Sequence, residues 1–450
     1  MTELKPYPKY KDSGVEWIGE VPEDWEVLSF TRVLESIVDY RGKTPEKVSD
    51  GIFLVTARNI KNGIIDYNVS QEFIKPLHYE EVMRRGKPRI GDVLFTTEAP
   101  LGEVANVDKE HIALAQRVIK FRGKENIINN YYLKYWILSQ GFQDNLQTFA
   151  TGSTAQGIKS SKLGKLLVML PSYYEQSFIS KYLNKKTSEI DSLIANKEKL
   201  IELLEEKRQV VITETVTKGL DPNVKMKDSG IEWIGEIPEH WEARRLKYFL
   251  NIIKTIEPSE NPTILSMTQN GIKVKDISTN DGQIAESYDK YQKVRINDFV
   301  MNQMDLLTGF VDYSNIEGVT SPDYRVFQLK DDTNYDKDYF LYYFQMCYYQ
   351  KIFYGLGQGV SKYGRWRLQT QAFKDFFAPI PPRDEQLKIK SKIEKELKQI
   401  NAIITEMKNV INILKQYRES LIYEAVTGKI DLRDFAEEEV SEERGVYHGH

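Results

Sequence analysis

Four short polar segments carry the side chains best suited to hold a polyanion. Lys and Arg neutralise phosphates, and Arg, Gln, Ser and Thr can also hydrogen-bond to base edges. Glycines in the same segments would let the backbone approach a ligand closely. The alternative for each segment is an ordinary solvated loop, and RRGKPR could serve solubility only. The candidate contacts are Arg41, Lys43, Thr44, Arg84, Arg85, Lys87, Arg89, Thr151, Ser153, Gln156, Lys159, Lys162, Gln358, Ser361, Lys362, Tyr363, Arg365 and Arg367.

No stretch of the sequence matches a catalytic or metal-binding motif at the required residues and spacing. GSTAQGIKS (152–160) does not fit the phosphate-binding loop G-x-x-x-x-G-K-[ST], because an extra residue separates Gly157 from Lys159. PDYRVFQLK (322–330) resembles a nuclease pattern, but Gln328 stands where a metal-binding carboxylate is needed. The five histidines have no metal-ligand spacing. We therefore predict no catalytic residue, no metal site and no cofactor bound by this chain.

Length and composition indicate the broad class of protein. A chain of 450 residues can form two or three domains, each with its own core. No stretch approaches the roughly 20 apolar residues that span a bilayer, and MTELKPYPKYKDSG lacks the apolar core of a signal peptide. The single cysteine, Cys347, fits a reducing compartment. These features predict a cytoplasmic protein. The net charge of −4 decides little, because the acidic run FAEEEVSEER biases it.

One phrase occurs twice. Residues 11–26 read KDSGVEWIGEVPEDWE and residues 227–242 read KDSGIEWIGEIPEHWE, so thirteen of sixteen positions are identical. Such an internal repeat indicates two similar halves. We expect the phrase to form a fixed joint where a helix end meets a domain, with Trp17, Trp25, Trp233 and Trp241 as packing anchors.

Each copy is followed by a segment of mixed strand and helix character. Alternating runs such as GIFLVTA, DVLFTTE, GFVDYSN and YRVFQLK predict strands, and Asn-Gly in KNGII and TQNGI predicts tight turns. NNYYLKYWILSQGF and DKDYFLYYFQMCYYQ predict helices. The expected fold class is α+β, with two β-rich domains.

A long helix is predicted after each β-rich segment. The apolar residues of the second helix recur at alternating steps of 4 and 3, which is a heptad seam, and the first helix repeats the register with Thr187 and Lys197 as weak positions. Arg208 and Arg418 occupy the same seam site. The predicted seam residues are Leu183, Ile190, Ile194, Ile201, Leu204, Val211, Ile393, Leu397, Ile400, Ile404, Met407, Ile411, Leu414 and Leu421.

Connectivity predicts how the helices pair. The first helix leads into the second domain, so the second helix must return for a compact chain, which makes the pair antiparallel with pseudo-twofold symmetry. A helix of roughly 44 residues is about 65 Å long. The expected divisions are an N-terminal arm with the first phrase (1–19), recognition domain 1 (20–172), a central helix (173–218), a linker (219–230), recognition domain 2 (231–381), a distal helix (382–428) and an acidic flexible tail (429–450).

The ordered motifs resemble one known family. SGIEWIGEIPEHWE, TKGLDP, the P-x-x-x-EQ start of each long helix and VTGKIDL resemble the specificity subunit of type I restriction–modification systems. RGKTP, RIGDVLFTTEAPLGEVA and GVTSPDYRVF resemble blocks of its target-recognition domains. The resemblance covers roughly residues 11–432 and occurs in both halves.

The resemblance implies a non-catalytic protein that directs other subunits. In that family, two target-recognition domains held apart by antiparallel helices each read half of a split DNA site. Two methylation subunits dock on the helices and modify adenine with S-adenosylmethionine, and restriction subunits use ATP and Mg²⁺. IPPRD lacks both flanking residues of the methyltransferase Asn/Asp-Pro-Pro-aromatic motif. Because the two domains share little sequence, the half-sites should differ.

Two other functions stay open on the sequence. The chain could be a coiled-coil scaffold whose globular domains bind proteins instead of DNA, and only selection from random duplex DNA would separate these. A stand-alone enzyme is disfavoured by the missing motifs. Methyl transfer by the purified chain alone would establish it.

Overall fold

The two long Lys-, Glu- and Leu-rich stretches form continuous helices in this computed structural model. They are Tyr173–Lys218 (α6) and Arg383–Val426 (α10). Each begins just after a proline-containing turn and carries a carboxylate in its first turn, where the helix dipole favours it. Each is followed by a glycine in the left-handed region, Gly219 at φ +77° and Gly428 at φ +68°. The sequence signals for starting and stopping a helix therefore act at both copies.

The structure describes residues 5–40, 45–151, 156–256, 262–276, 287–358, 367–433 and 435. The remaining elements of the first half are β1 Tyr10–Asp12, β2 Glu20–Pro22, β3 Glu26–Ser29, α1 Phe30–Val33, β4 Leu34–Asp39, β5 Lys47–Val48, β6 Ile52–Val55, β7 Ile60–Lys61, β8 Ile64–Ile65, β9 Phe73–Ile74, α2 Tyr79–Val82, β10 Val93–Thr97, β11 Leu101–Asn106, β12 Ala113–Leu114, β13 Val118–Gly123, α3 Asn130–Leu138, α4 Gln140–Phe149, α5 Ser160–Leu163 and β14 Leu167–Leu170. Those of the second half are β15 Met226–Asp228, β16 Glu236–Pro238, β17 Glu242–Arg245, β18 Leu250–Ile253, β19 Ile264–Thr268, β20 Gly271–Val274, β21 Gln292–Val294, β22 Phe299–Met301, β23 Val311–Tyr313, β24 Gly318–Thr320, β25 Arg325–Leu329, α7 Lys337–Tyr349, α8 Ile352–Gly355, α9 Thr370–Asp375 and β26 Phe377–Ile380.

The chain divides into two compact units. Unit 1 comprises residues 1–197 and 409–450, and unit 2 comprises residues 198–408. Each long helix therefore contributes one part to each unit. In unit 1, an antiparallel sheet of order β11-β10-β13-β4 lies in the same domain as a second sheet of order β12-β6-β9-β5. Unit 2 has sheets of order β18-β25-β22-β23 and β20-β19-β24-β21.

The two units repeat one frame. In both, a central strand of the second sheet pairs in parallel with a short strand: β6 with β12, and β19 with β24. The strand after each repeated phrase pairs with the strand before the long helix, β3 with β14 and β17 with β26. The predicted α+β class, with two β-rich domains and two long helices, is confirmed.

The antiparallel direction follows from contacts inside each unit. In unit 1 the buried Tyr132 hydroxyl donates to the carbonyls of Met169, just before α6, and Val426, at the end of α10. In unit 2 the buried Tyr339 hydroxyl donates to Pro379, just before α10, and Val216, near the end of α6. The start of one helix thus lies beside the end of the other in each unit.

The predicted seam residues are buried to different degrees. Nine are buried, three in the first half of α6 and six along α10: Leu183, Ile190, Ile194, Ile393, Leu397, Ile400, Ile404, Ile411 and Leu421. Ile201, Leu204, Val211, Met407 and Leu414 are half-buried. Of the weak positions, Thr187 is buried. Its hydroxyl donates to the Leu183 carbonyl at 2.6 Å, so the buried polar group is satisfied. The pairing of seam residues with one another stays a prediction.

Each copy of the repeated phrase is hydrogen-bonded to the first turn of a long helix. Trp25 and Trp241 are fully buried, and their indole nitrogens donate to Glu175 at 3.3 Å and Glu385 at 3.0 Å, the acids of the two P-x-x-x-EQ motifs. Trp241 also lies against Gly219 in unit 2, and Trp25 lies against Gly428 in unit 1. The first phrase therefore packs on the end of the distal helix and the second phrase on the end of the central helix, so each long helix ends against one copy.

The neighbouring glutamines fix each domain to its helix. Gln176 is fully buried, accepts from the Asn129 amide at 2.8 Å, and donates to the carbonyls of Ile127 and Pro171. Gln386 repeats this arrangement with the Asp336 amide and the carbonyls of Asn334 and Pro381. Because a buried amide is costly unless every donor and acceptor is satisfied, this geometry is strongly specified.

The predicted helix NNYYLKYWILSQGF divides in two. Ser139 is extended, with φ −66° and ψ 143°, and its hydroxyl donates to the Trp136 carbonyl at 2.6 Å. This local hydrogen bond competes with helix continuation and separates α3 from α4. Over the described residues, no helix is both long and apolar enough to cross a membrane.

Candidate nucleic-acid interface

Asp39, at the end of β4, gathers two of the predicted polar segments in unit 1. The Arg85 guanidinium donates to the Asp39 carbonyl, and the Ser160 hydroxyl donates to the Asp39 carboxylate. Segment 84–89 therefore lies beside the start of α5, next to Lys159 and Lys162. These segments are more than sixty residues apart in the sequence. The sheet brings them together at one end of the domain.

The segment TGSTAQG is closed at its base. The amides and carbonyls of Thr151 and Gly157 pair at 2.9 and 3.0 Å. Gly157 also lies against the neighbouring strand, because a Cβ there would be 3.2 Å from the Thr97 carbonyl oxygen. Thr151, Gln156 and Lys159 are exposed, while Lys162 donates to the Phe149 carbonyl at 3.2 Å.

The basic segment RRGKPR is only partly free for a ligand. Lys87 forms an exposed ion pair with Glu80 at 2.6 Å, and the Arg89 amide donates to Asp92 at 2.8 Å. The Arg84, Arg85 and Arg89 side chains are exposed. Such exposed cations suit phosphate contact, whereas Lys87 would have to exchange its partner first.

A buried charge network supports this segment from below. Asp92, almost fully buried, accepts from Arg122 at 2.6 and 2.7 Å and lies 3.5 Å from the buried Lys120 ammonium. Burial lowers the pKa of Lys120, and nearby Arg122 lowers it further, while Asp92 opposes both effects. Asp298 takes the Asp92 position in unit 2 but pairs with Gln328. The two domains therefore share a frame but differ in charge.

The corresponding segment of unit 2 has its ends fixed. Gln358 and Arg367 pair through their backbones. Beside them, the buried Arg325 donates to the Leu368 carbonyl at 3.0 Å and stacks on the Phe373 ring. Burial lowers the pKa of Arg325 to about 10.

Several predicted contacts lie outside the described residues. They are Arg41, Lys43, Thr44, Ser153, Ser361, Lys362, Tyr363 and Arg365.

A recess of about 370 Å³ in unit 1 contains polar residues that the sequence did not single out. Arg58, Gln116 and Arg117 line it together with Lys47 and Thr56. Arg58 comes from one turn, and Gln116 and Arg117 come from another; neither segment is a basic or glycine-containing run, so composition carried no signal. Pro45, from the resembling block RGKTP, also lines the recess.

Comparison with known families decides the class of this chain. The sequence model of the Type I restriction modification DNA specificity domain matches residues 22–205 and 238–413, once in each half. The chain belongs to this family. The two matches coincide with the two repeated domains and their helices, so the predicted specificity-subunit family is confirmed.

Individual specificity subunits are similar along nearly the whole length. A specificity subunit named for the type I restriction enzyme MjaX of Methanocaldococcus jannaschii is 25% identical over 92% of this chain and 96% of its own length. The StySPI specificity subunit of Salmonella potsdam is 21% identical over 92% of this chain and 90% of its own. Specificity subunits are the non-catalytic recognition components of their systems, so this assignment confirms that the chain is not itself an enzyme.

A solved structure shares the fold. A chain from a study of complex assembly and conformational transition in a type I restriction–modification system superposes with a TM-score of 0.64 at 14% identity, covering 91% of this chain and 99% of the other. At this identity, the likeness shows the fold alone.

Proposed function

We propose that this specificity subunit reads a split, asymmetric duplex DNA target and directs adenine methylation, and cleavage, by partner subunits. The observation that carries the proposal is the repetition of one domain frame with different polar residues on it. A shared frame gives each domain the same way of approaching a duplex, and different side chains give each domain its own half-site. The base pairs between the half-sites would be unspecified.

Positioning on the duplex would come from the exposed basic and polar segments. In unit 1 these are Arg84, Arg85 and Arg89 with Thr151, Gln156 and Lys159, and in unit 2 Gln358 and Arg367 flank the corresponding segment. Phosphate contacts set register and make binding salt-dependent. The remaining predicted residues of these segments belong to the same proposal, and so do the predicted domain boundaries.

Repeated apolar side chains on the long helices support docking of two methylation subunits. Leu203 is 47% exposed in unit 2, and Ile413, its counterpart in the repeat, is 61% exposed in unit 1. Leu193 and Ile403 form a second such pair, at 50% and 41% exposure. Exposed apolar positions that recur at equivalent places are typical of a protein interface. Two equivalent copies fit two identical partners.

The chemistry would then belong to the partners. S-adenosylmethionine would bind to the methylation subunit, and ATP with Mg²⁺ to a restriction subunit where one is present. Among the described residues, no group of three or more His, Cys, Asp or Glu side chains is placed to hold a metal ion. The complex would act in the cytoplasm, where the DNA of a prokaryotic cell lies.

Mapping of modified adenines tests the proposal. We expect cells that express this chain with a cognate methylation subunit to carry N6-methyladenine in one motif, with two unlike halves separated by unspecified base pairs. Omitting this chain should abolish the motif, and the purified chain alone should transfer no methyl group. A protein-binding scaffold predicts no motif, so the absence of an enriched split site would overturn the proposal.

A further inference from the structure

The recess in unit 1 is built on a rigid platform. The buried Asn59 accepts from the Thr56 amide at 2.8 Å and donates to the carbonyls of Asp66 at 3.0 Å and Val69 at 2.6 Å. This network fixes the turn 56–59, with Ala57 and Asn59 buried and Arg58 exposed between them. Among the described residues, no hydrogen bond or ion pair engages the Arg58 guanidinium. The rigid turn therefore holds the Arg58 guanidinium with its N–H donors available to a ligand.

A second fixed turn faces the same recess. The Ala115 amide donates to the Val55 carbonyl at 2.9 Å, and the Val118 amide donates to Ala115 at 3.0 Å. The Arg117 carbonyl accepts from the amide of Thr97 at 3.1 Å. Gln116 and Arg117 are thereby held at the tip of the turn. The Arg117 side chain pairs with Glu98 at 3.0 Å while both stay about half exposed.

The chemistry of the recess suits the edge of a base pair. Arg can donate two parallel hydrogen bonds to guanine, and Gln can pair with adenine in the same bidentate manner. Ala57, Ala99 and Ala115 supply apolar wall beside these groups, which suits a thymine methyl. Lys47 forms an ion pair with Glu72 at 2.7 Å at the rim. Discrimination between base pairs requires polar side chains that a rigid backbone holds in place, and these turns provide them.

Unit 2 keeps the second turn but not the first, because Ser266–Thr268 continue strand β19 and pair with β20. Ile264 and Leu265 pair in parallel with Val319 and Thr320, as Leu54 and Val55 pair with Ala113 and Leu114. The Tyr324 amide donates to the Ser321 carbonyl at 3.0 Å, which repeats the Val118–Ala115 turn. This register places Pro322 and Asp323 at the positions of Gln116 and Arg117.

The second turn of unit 2 is held as firmly as its counterpart. Gln292 donates to the carbonyls of Ser321 at 2.8 Å and Tyr324 at 2.7 Å, and Gln303 donates to the Asp323 carbonyl at 2.9 Å. The backbone of this turn is thus conserved between units, while its side chains change from an amide and a cation to a ring and an anion. A position that is fixed in space but varied in chemistry is where two unlike half-sites would be distinguished.

We propose that the turns 56–58 and 115–117 read bases of one half-site, with Arg58 as the main specificity-determining residue, and that the turn 321–323 reads bases of the other. The assignment rests on the proposed function. Arg58 would make a bidentate contact with guanine, and Arg117 would join it or stay paired with Glu98. Asp323 would accept from a cytosine amino group, which an arginine at that position could not do.

Three variants in the complete methylating complex test the assignment. Arg58→Ala should reduce discrimination at one or two base pairs of a single half-site by roughly 10- to 100-fold, and leave the other half-site unchanged. Arg58→Lys keeps the charge but loses the planar fork, so it should lose the same discrimination. Asp323→Ala should relax the opposite half-site. Arg32→Ala, an exposed arginine in unit 1 outside the recess, is the matched control and should keep the wild-type motif.

The outcomes separate this assignment from the proposed function. A wild-type complex that yields no split motif contradicts the function itself. A wild-type motif that both Arg58 variants preserve overturns the recess as a reading site and leaves the function standing. Uniformly weaker methylation by Arg58→Ala, with Arg58→Lys like wild type and base preferences unchanged, would make Arg58 a phosphate contact and also overturn the assignment.

Discussion

Replacing Trp241 with alanine should lower the free energy of unfolding of unit 2 by about 3–5 kcal/mol, the usual cost of truncating a buried tryptophan. Trp241 has no exposed surface and belongs to the main core of unit 2. Its indole nitrogen donates to Glu385 in the first turn of α10, and its ring lies against Gly219 just after α6. The substitution therefore leaves a cavity and removes one partner of a largely buried carboxylate.

Urea-induced unfolding followed by far-ultraviolet circular dichroism checks this result. Tyr248→Ala is the matched control, because Tyr248 is an aromatic residue of the same unit that is 63% exposed. It should change stability by less than about 0.5 kcal/mol. Trp25→Ala should repeat the effect in unit 1, where the same contacts recur with Glu175 and Gly428. A Trp241→Ala protein as stable as the control would show that the repeated phrase is not a structural joint.

Replacing Leu203 and Ile413 together with lysine should abolish assembly with methylation subunits while leaving the fold intact. Both side chains are largely exposed, so the isolated chain should change by less than about 0.5 kcal/mol in stability. A lysine in an apolar interface must be desolvated, and we expect roughly 30-fold or greater weakening at each site. Because each substitution lies in a different unit, either one alone should leave a complex with a single methylation subunit.

Native mass spectrometry of the co-expressed complex gives the stoichiometry directly. Ala195→Lys is a control for an added charge on α6, since Ala195 is exposed and lies about a quarter turn around the helix from Leu203 and about half a turn from Leu193. It should retain two methylation subunits. Full assembly of the Leu203→Lys, Ile413→Lys double variant would place the docking surface elsewhere.

Arg418 shows that the role of a seam position depends on the residues packed around it. The sequence placed Arg208 and Arg418 at equivalent seam sites. In unit 1, Arg418 pairs with Asp191 at 2.9 Å and donates to the Asn62 carbonyl at 3.1 Å in the β7–β8 turn. Arg208 in unit 2 has Glu205 as a neighbour at 3.6 Å. Equivalent residues in the repeat thus make different contacts.

The candidate interface was predictable in part. Polar, glycine-containing segments pointed to positions such as Arg85 and Lys159, and the sheet brings these two segments to Asp39. Arg58 and Arg117 could not be found in this way, because each is the single cation of a short turn without glycine. Only the parallel pairing of β6 with β12 sets their turns around one recess.

The sequence by itself determined the repeated architecture, the two long helices and their register. These features are encoded locally, since heptad spacing, a proline before the helix and a glycine after it act within a few turns of the chain. Tertiary structure alone decided that Trp25 packs at the end of the distal helix and that the turns at Arg58 and Arg117 share a recess. Those contacts join residues far apart in the chain, and their partners are chosen by burial and strand pairing, which no local spacing records.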